Sequence, residues 1–260
     1  MGIRVDFETR QGVVEKITNW IEGGKQCRQV VTAYSEFFVA AEKDPKFSEV
    51  LVKADLVVPD GISVLAARQY QVSSIKYKGF RKFWCGLETG LKVIRGELGE
   101  TVTGVWLFSE LVGLAKKNNW KIFLLGGFGD VAERLARELR VKSQELRIES
   151  DAGIPDNEEI ETIQKINKFE PDILFVAYGP VKQEKWISEN KHRLKAKVAI
   201  GVGGTFDEYL GEFQQAPRFM EEHGLKWLWR LIQQPNRIIR IWNAVVVFPW
   251  KVYKWKKIQY

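Results

Sequence analysis

Residues 121–130 read Lys-Ile-Phe-Leu-Leu-Gly-Gly-Phe-Gly-Asp, an apolar run that ends in glycines and precedes an amphipathic stretch reaching about Val141. A short apolar run bounded by turn residues is typical of a buried strand, and a longer amphipathic stretch is typical of a helix. The same unit recurs, with apolar runs at 29–32, 55–58, 172–177 and 197–202. This alternation predicts an α/β fold with a parallel sheet flanked by helices, and a ligand site beyond the carboxyl ends of the strands.

Composition excludes several classes of protein. A chain of 260 residues can form one domain of about 200 residues with an appendage. Its two cysteines, Cys27 and Cys85, cannot form a disulfide framework, and its two histidines, His192 and His223, lack a metal-ligand spacing. The first residues carry acids and no apolar core, unlike a signal peptide. The sequence therefore predicts a cytoplasmic protein with no metal, no cofactor and no His-based triad.

The excess positive charge lies in the C-terminal segment. Lys226–Tyr260 contains eight Lys or Arg and no Asp or Glu, whereas the first 225 residues hold 32 basic and 33 acidic residues. Apolar residues recur at helical spacing on both sides of Pro235, and the longest nearly apolar stretch, 241–250, is far shorter than the roughly 20 residues of a membrane span. Five of the ten tryptophans also lie here. We expect a helix lying in the interface of an anionic membrane, the alternatives being a helix packed on the body and a nucleic-acid-binding module.

Residues 73–100 fit the alternation of strands and helices poorly. Within them, residues 76–84 interleave four cations with four aromatic residues. This pattern has two interpretations, a solvated loop with a few anchoring rings or a second contact with an anionic surface or a lipid substrate.

Three junctions that follow apolar runs carry residue types suited to chemistry. Asp60 follows one run and precedes a glycine, so its carboxylate would be partly desolvated and could act as a general base, although Asp-Gly is equally a common turn pair. Gly126-Gly127 and Gly203-Gly204 could bring backbone N–H groups close to a phosphate at a helix N-terminus. Close packing of strand against helix explains both glycine pairs as well.

Six motifs of the chain occur in an order that a known family shares. They are Val58-Pro59-Asp60-Gly61, Phe123-Leu124-Leu125-Gly126-Gly127, Gly179–Trp186, Gly201–Asp207, Ala216-Pro217, and Gly224–Leu231 followed by Gln234-Pro235-Asn236-Arg237. Together they resemble the WecG/TagA/CpsF family of glycosyltransferases, and the resemblance extends from about Val30 to Pro249.

The resemblance implies an organisation and a reaction. It implies a Rossmann-like domain over residues 1–222 with an insertion at about 73–100, and a helical, membrane-associating appendage over residues 223–260. The implied enzyme is inverting and metal-independent. It moves a hexosamine, N-acetylmannosamine, from a UDP-sugar to a polyprenyl-diphosphate-linked N-acetylglucosamine in cell-wall or surface polysaccharide synthesis. We expect it on the inner face of the cell membrane and not on nucleic acid, with a homo-oligomer left open.

The resemblance also implies roles for individual residues. Asp60 matches the base that deprotonates the acceptor hydroxyl, and the two appendage arginines match cations that offset charge on departing UDP. The implied substrate-binding set is Thr32, Tyr34, Gln183, Gly126, Gly127, Gly203, Gly204, Arg230 and Arg237, with no metal.

The chain departs from the family pattern at several positions. Tyr34 stands where the family has an asparagine, and Lys226 where a glutamate is common. Thr101 and Trp106 replace an arginine and an aspartate, and Arg81 of the inserted segment is a candidate substitute for the lost arginine. These departures leave the donor sugar open. They also motivate an alternative, a catalytically inactive relative that acts as a membrane-bound binding or scaffolding subunit.

Overall fold

A computed structural model describes residues 2–77, 80–153, 159–212, 217, 219–220, 225–233, 235 and 238–254, with the backbone alone at 226, 227, 230 and 240. Within these residues the sheet has six parallel strands: β1 (Arg28–Ala33), β2 (Leu56–Pro59), β3 (Lys121–Gly126), β4 (Arg147–Asp151), β5 (Ile173–Ala177) and β6 (Val198–Gly201). They are arranged in the order β2-β1-β6-β5-β3-β4. The predicted Rossmann-like α/β fold is confirmed.

Helices cover both faces of the sheet. The first ten are α1 (Arg10–Gly23), α2 (Ser35–Lys43), α3 (Pro45–Lys53), α4 (Ile62–Ser74), α5 (Phe80–Ile94), α6 (Gly104–Asn118), α7 (Val131–Lys142), α8 (Glu159–Phe169), α9 (Lys182–Asn190) and α10 (Thr205–Tyr209). Alternate residues of a strand point to opposite faces. In β3, Ile122 and Leu124 pack with α1, α6 and α7, whereas Phe123 and Leu125 pack with α8 and α9. Strands β2, β3, β5 and β6 read as nearly continuous apolar runs because both of their faces are buried.

Asp55, just before β2, joins three elements at the amino edge of the sheet. Its carboxylate accepts hydrogen bonds from the N–H of Gln29 at 2.9 Å, from Arg28 at 2.8 Å, and from Nζ of Lys191, the residue after α9, at 3.0 Å. Burial raises the pKa of Asp55, but these three donors outweigh burial and hold the pKa below its usual value. The carboxylate therefore stabilises the folded chain in its charged form.

Two elements differ from what the sequence predicts. Strand β4 was missed, because Arg147-Ile-Glu-Ser-Asp contains one apolar residue and forms an edge strand whose first and third residues are exposed. The stretch 80–94, interpreted in part as a loop, forms helix α5. It packs on α4, which itself extends to Ser74.

The C-terminal segment is helical to Lys254, further than the sequence predicts. Helices α11 (Lys226–Gln233) and α12 (Ile238–Trp242) are followed by a π-helical turn, Asn243–Val247, and by α13 (Phe248–Lys254). Pro249 is the second residue after the π turn. Its ring would clash with a carbonyl one turn back in a regular helix, so the local widening lets the helix continue.

Helix α13 packs on the body. Phe248 is only 3% exposed and lies 5.6 Å from the ring of Phe38, and Val252 belongs to the same buried cluster. Trp250, on the other side of α13, is 56% exposed. In the part of the chain that the structure describes, no helix combines the length and the apolar character needed to cross a bilayer.

Candidate active site

Asp60 lies at the carboxyl edge of the sheet, immediately after β2. Its N–H donates to the carbonyl of Ala33 at 2.8 Å, which extends the β1–β2 pairing by one residue. Gly61 then has a φ of 147°, a conformation that favours glycine, and α4 starts one residue later. The sequence Pro-Asp-Gly thus ends the strand, presents the carboxylate at the edge where ligands bind and starts a helix.

The N-terminus of α6 comes close to this carboxylate. The N–H of Gly104 donates to Oδ2 of Asp60 at 3.2 Å, and a helix N-terminus favours negative charge. Gly104 also allows close packing, since a Cβ there would stand 3.1 Å from Oγ1 of Thr205 and 3.7 Å from Oγ1 of Thr32. One glycine therefore brings together a carboxylate and two hydroxyls from three different strand ends.

Thr32 and Thr205 are both buried, and both hydroxyls donate to backbone carbonyls. Thr32 Oγ1 bonds the carbonyl of Gly201 at 3.2 Å, and Thr205 Oγ1 bonds the carbonyl of Val202 at 2.7 Å. The chain leaves β1 towards β2 on one side, whereas β6 lies on the other side of β1. Both hydroxyls lie at the carboxyl ends of these neighbouring strands, the edge at which an open α/β sheet binds its ligand.

Gln183, expected near the sugar, is directed into the protein. Its Oε1 accepts the N–H of Gly203 at 2.9 Å, and its Nε2 donates to Oε1 of Glu184 at 2.7 Å. A Cβ at Gly201 would lie 2.7 Å from this Nε2, so the amide fits only because that position is glycine. Gln183 therefore positions the turn after β6.

Glu184 is a buried carboxyl group that the sequence pattern did not reveal. A run of charged residues such as 182, 184 and 185 is typical of a solvated helix face, but only 1% of Glu184 is exposed. Its Oε2 accepts the N–H of Val181 at 2.8 Å, which supports a left-handed φ of 71° at a β-branched residue. Burial raises the pKa of Glu184 to about 7, against the lowering effect of its hydrogen bonds.

The two glycine pairs differ in how closely they are packed. Gly126 has a φ of 88°, and a Cβ there would stand 2.7 Å from the ring of Tyr178, so packing alone requires this glycine. Around Gly203 no heavy atom would meet an added Cβ within 4 Å, and Gly204 has only a carboxylate oxygen of Asp207 at that distance. The N–H of Gly127 donates to the carbonyl of Ala177 at 3.1 Å, and the N–H of Gly203 is bonded by a glutamine side chain. Neither of these two N–H groups is free for a phosphate.

Three further expected residues are Tyr34, Arg230 and Arg237. Tyr34 precedes α2, and its ring lies 4.5 Å from Phe37. The backbone of Arg230 belongs to α11, but its side chain lies outside the described part of the chain, and so does Arg237.

An arginine that the sequence did not single out lies beside the positions that depart from the family. Nε of Arg10 donates to the carbonyl of Thr101 at 2.9 Å, and its guanidinium lies 4.8 Å from the centre of the Trp106 ring. Arg81, suggested as a substitute, is exposed on α5. The arginine found next to Thr101 thus comes from the first turn of α1, a contact across 91 residues that local sequence does not signal.

Among the residues that the structure describes, no three His, Cys, Asp or Glu side chains are grouped as they would be around a metal ion.

An open parallel sheet with a carboxylate, two hydroxyls and a helix N-terminus at its carboxyl edge defines a Rossmann-like α/β enzyme.

Comparison with known proteins gives the family. The profile of the glycosyl transferase WecG/TagA/CpsF family matches residues 1–78 and 85–260, so the chain belongs to that family and is a glycosyltransferase. It is 25% identical over 258 residues to the N-acetylglucosaminyldiphosphoundecaprenol N-acetyl-beta-D-mannosaminyltransferases of Staphylococcus aureus strains MRSA252, MW2 and NCTC 8325. These matches cover 99% of this chain and 92% of each relative.

Proposed function

We propose that this glycosyltransferase transfers N-acetylmannosamine from a UDP-sugar to a polyprenyl-diphosphate-linked N-acetylglucosamine, in one inverting step that needs no metal ion. The observation that carries the proposal is the carboxylate of Asp60 at the carboxyl edge of the sheet, bonded through Oδ2 to the N-terminus of α6. The names of the similar proteins supply the sugar and the lipid acceptor. The reaction takes place in the synthesis of a cell-wall or surface polysaccharide.

Asp60 acts as the general base. Its Oδ2 stays bonded to Gly104, and its carboxylate takes the proton of the acceptor hydroxyl as the hydroxyl oxygen attacks the anomeric carbon. The bond from that carbon to the diphosphate oxygen breaks on the opposite side, and UDP leaves with the electron pair. Thr32 and Thr205 border the acceptor side of this site, and Arg230 and Arg237 offset the charge on UDP. Gly126-Gly127 and Gly203-Gly204 shape the two turns that flank it.

The test is the substitution Asp60→Asn in full-length protein. An asparagine oxygen can still accept the N–H of Gly104, so the fold should be retained while the base is lost. We expect UDP release with a lipid-linked N-acetylglucosamine acceptor to fall by about 10²- to 10⁴-fold. The matched control is Asp55→Asn, which changes the same residue type at the opposite end of β2 and should retain its rate per folded enzyme. An undiminished rate in Asp60→Asn would remove Asp60 from the chemistry.

Mass spectrometry of the products from a panel of UDP-sugars identifies the donor. Parallel assays with a chelator test whether turnover depends on a metal ion. We expect turnover with UDP-N-acetylmannosamine to persist in chelator, and loss of turnover there would contradict the metal-independent step.

The departures at Thr101 and Trp106 favour one second candidate, a catalytically inactive, membrane-bound subunit. Nucleotide binding without turnover across the same panel would support it.

We further propose that the protein binds the inner face of the cell membrane through the segment after about residue 222. Support comes from the charge of this segment and from its exposed apolar side chains, including Trp242 at 60% exposure. Flotation with anionic vesicles should therefore weaken in Trp242→Gln. Salt-sensitive gel shifts with nucleic acid would instead favour the nucleic-acid alternative. Sedimentation analysis would show whether the protein forms a homo-oligomer.

A further inference from the structure

Helix α5 exposes its large apolar side chains and buries its small ones. Cys85 and Thr89 face the body, with Sγ of Cys85 3.7 Å from the carbonyl of Ser73 in α4. The exposed residues recur every three or four positions and so share one face: Phe80, Phe83, Trp84, Leu87, Leu91 and Ile94. Phe80 is 71% exposed and Trp84 is 56% exposed. An exposed apolar patch with charged residues at its border marks an interaction surface.

The charge around this face identifies the chemistry of the partner. Residues 76–95 contain six Lys or Arg and one acid, Glu88, which pairs with Lys92 at 3.2 Å. Rings and aliphatic side chains bordered by cations are the composition of a helix that lies in an anionic membrane interface. A second copy of the chain docked by two-fold symmetry would place the same positive face against itself, which repulsion opposes.

The face continues into the C-terminal helix. Nζ of Lys82 in α5 donates to the carbonyl of Tyr253 in α13 at 2.7 Å. The Tyr253 ring lies 6.3 Å from Tyr70 of α4 and stacks 6.0 Å from the exposed Trp250. Helices α5 and α13 are therefore neighbours, joined through Lys82.

This surface is also connected to the candidate active site. Helix α4 begins two residues after Asp60, and α5 packs against it. Its 13 residues span about 20 Å, so a face on α5 would hold a bilayer close to the carboxyl edge of the sheet. The family profile matches residues 1–78 and 85–260, so most of α5 lies within the part of the chain that the profile matches.

We propose that α5 is a second membrane-docking helix, which inserts its apolar face into an anionic lipid leaflet beside the C-terminal helix. The inference rests on the proposed function, since a lipid-linked acceptor requires the enzyme at the membrane.

Site-specific fluorescence tests where the bilayer lies. Full-length Leu87→Cys is labelled with an environment-sensitive dye, and the control is labelled Val141→Cys, an exposed position on α7. The native Cys27 and Cys85 are both buried, and burial raises the pKa of Cys27 to about 12, so they should react slowly. With vesicles of phosphatidylcholine and phosphatidylglycerol, the dye at 87 should shift to the blue and be quenched by brominated lipid, and the dye at 141 should not.

Two outcomes would overturn the proposal. If the labelled protein floats with vesicles and the dye at 87 does not respond, the C-terminal segment alone docks. If the dye at 87 responds without vesicles, in step with a doubling of mass in sedimentation, a second copy covers the face.

A double variant separates docking from chemistry. Phe83→Gln with Trp84→Gln should lower vesicle partitioning by about tenfold or more. UDP release should fall with an acceptor held in vesicles and persist with a short-chain, water-soluble acceptor. Asp60→Asn should show the reverse pattern, with normal partitioning and no turnover on either acceptor. Normal partitioning of the double variant would overturn the docking role of α5 and leave the proposed function intact.

Discussion

The buried carboxyl of Glu184 makes stability depend on pH in a direction opposite to that of a salt-bridged acid. The pKa of Glu184 is about 7 in the folded protein, compared with the ordinary value of 4.5 that applies to the unfolded chain. Between these values the folded chain holds a proton that the unfolded chain has released, so the free energy of unfolding falls as pH rises from 4.5 to 7. A difference of this size corresponds to about 3 kcal/mol, since each pKa unit is worth about 1.4 kcal/mol.

Glu184→Gln isolates this contribution. Glutamine is neutral at every pH, and its oxygen can still accept the N–H of Val181. In urea unfolding followed by tryptophan fluorescence, the stability of Glu184→Gln relative to wild type should increase by up to about 3 kcal/mol from pH 4.5 to 7 and then level off. The control is Glu189→Gln, an exposed position on the same helix, whose difference from wild type should stay flat. A constant difference for Glu184→Gln across that window would refute the buried, protonated carboxyl.

Three further predictions concern packing and one partly buried charge. Gly104→Ala should reduce turnover by about tenfold, because the added Cβ would press on Thr205 Oγ1 and shift the N-terminus of α6. The control is Gly113→Ala, which adds a Cβ in open space on the same helix. It should retain turnover and raise the free energy of unfolding by about 0.5–1 kcal/mol. Asp55→Asn should lower the free energy of unfolding by about 1–3 kcal/mol at neutral pH, and the loss should shrink in acid as the wild-type carboxylate takes up its proton; urea titrations at several pH values measure it. In thermal unfolding, Phe248→Ala should cost about 3–5 kcal/mol and Trp250→Ala almost nothing, because the first side chain is buried in the core and the second is exposed.

Much of the fold could be predicted because local patterns determine it. The strands β1, β2, β3, β5 and β6 are continuous apolar runs that end at Gly, Pro or polar turns, and burial on both faces explains that pattern. β4 escaped prediction because an edge strand needs few apolar residues. The extension of the helix to Lys254 was not predicted, because a proline such as Pro249 usually ends a helix. The π turn that compensates for it has no sequence signature.

The site could be predicted in position but not in its supporting contacts. Asp60 follows a strand, and that alone places it at the ligand edge of the sheet. The contact from Gly104 joins residues 44 positions apart, and no local pattern records it. The burial of Glu184 likewise depends on a missing side chain elsewhere, since a Cβ at Gly201 would stand 2.5 Å from its Oε1. The sequence Lys-Gln-Glu-Lys is polar throughout and carries no sign of that gap.

The burial of Phe248 changes what kind of anchor the C-terminal helix can be. A helix on a loose linker would tether the enzyme and let it tumble above the leaflet, with the catalytic edge at a varying height. A helix that inserts Phe248 and Val252 into the core cluster that also holds Val31, next to Thr32, and Val57, three residues before Asp60, would act as a rigid mount. Under the proposed membrane docking, an enzyme mounted in this way would meet the bilayer in one orientation, and its search for a lipid-linked sugar would become a two-dimensional search at a fixed depth.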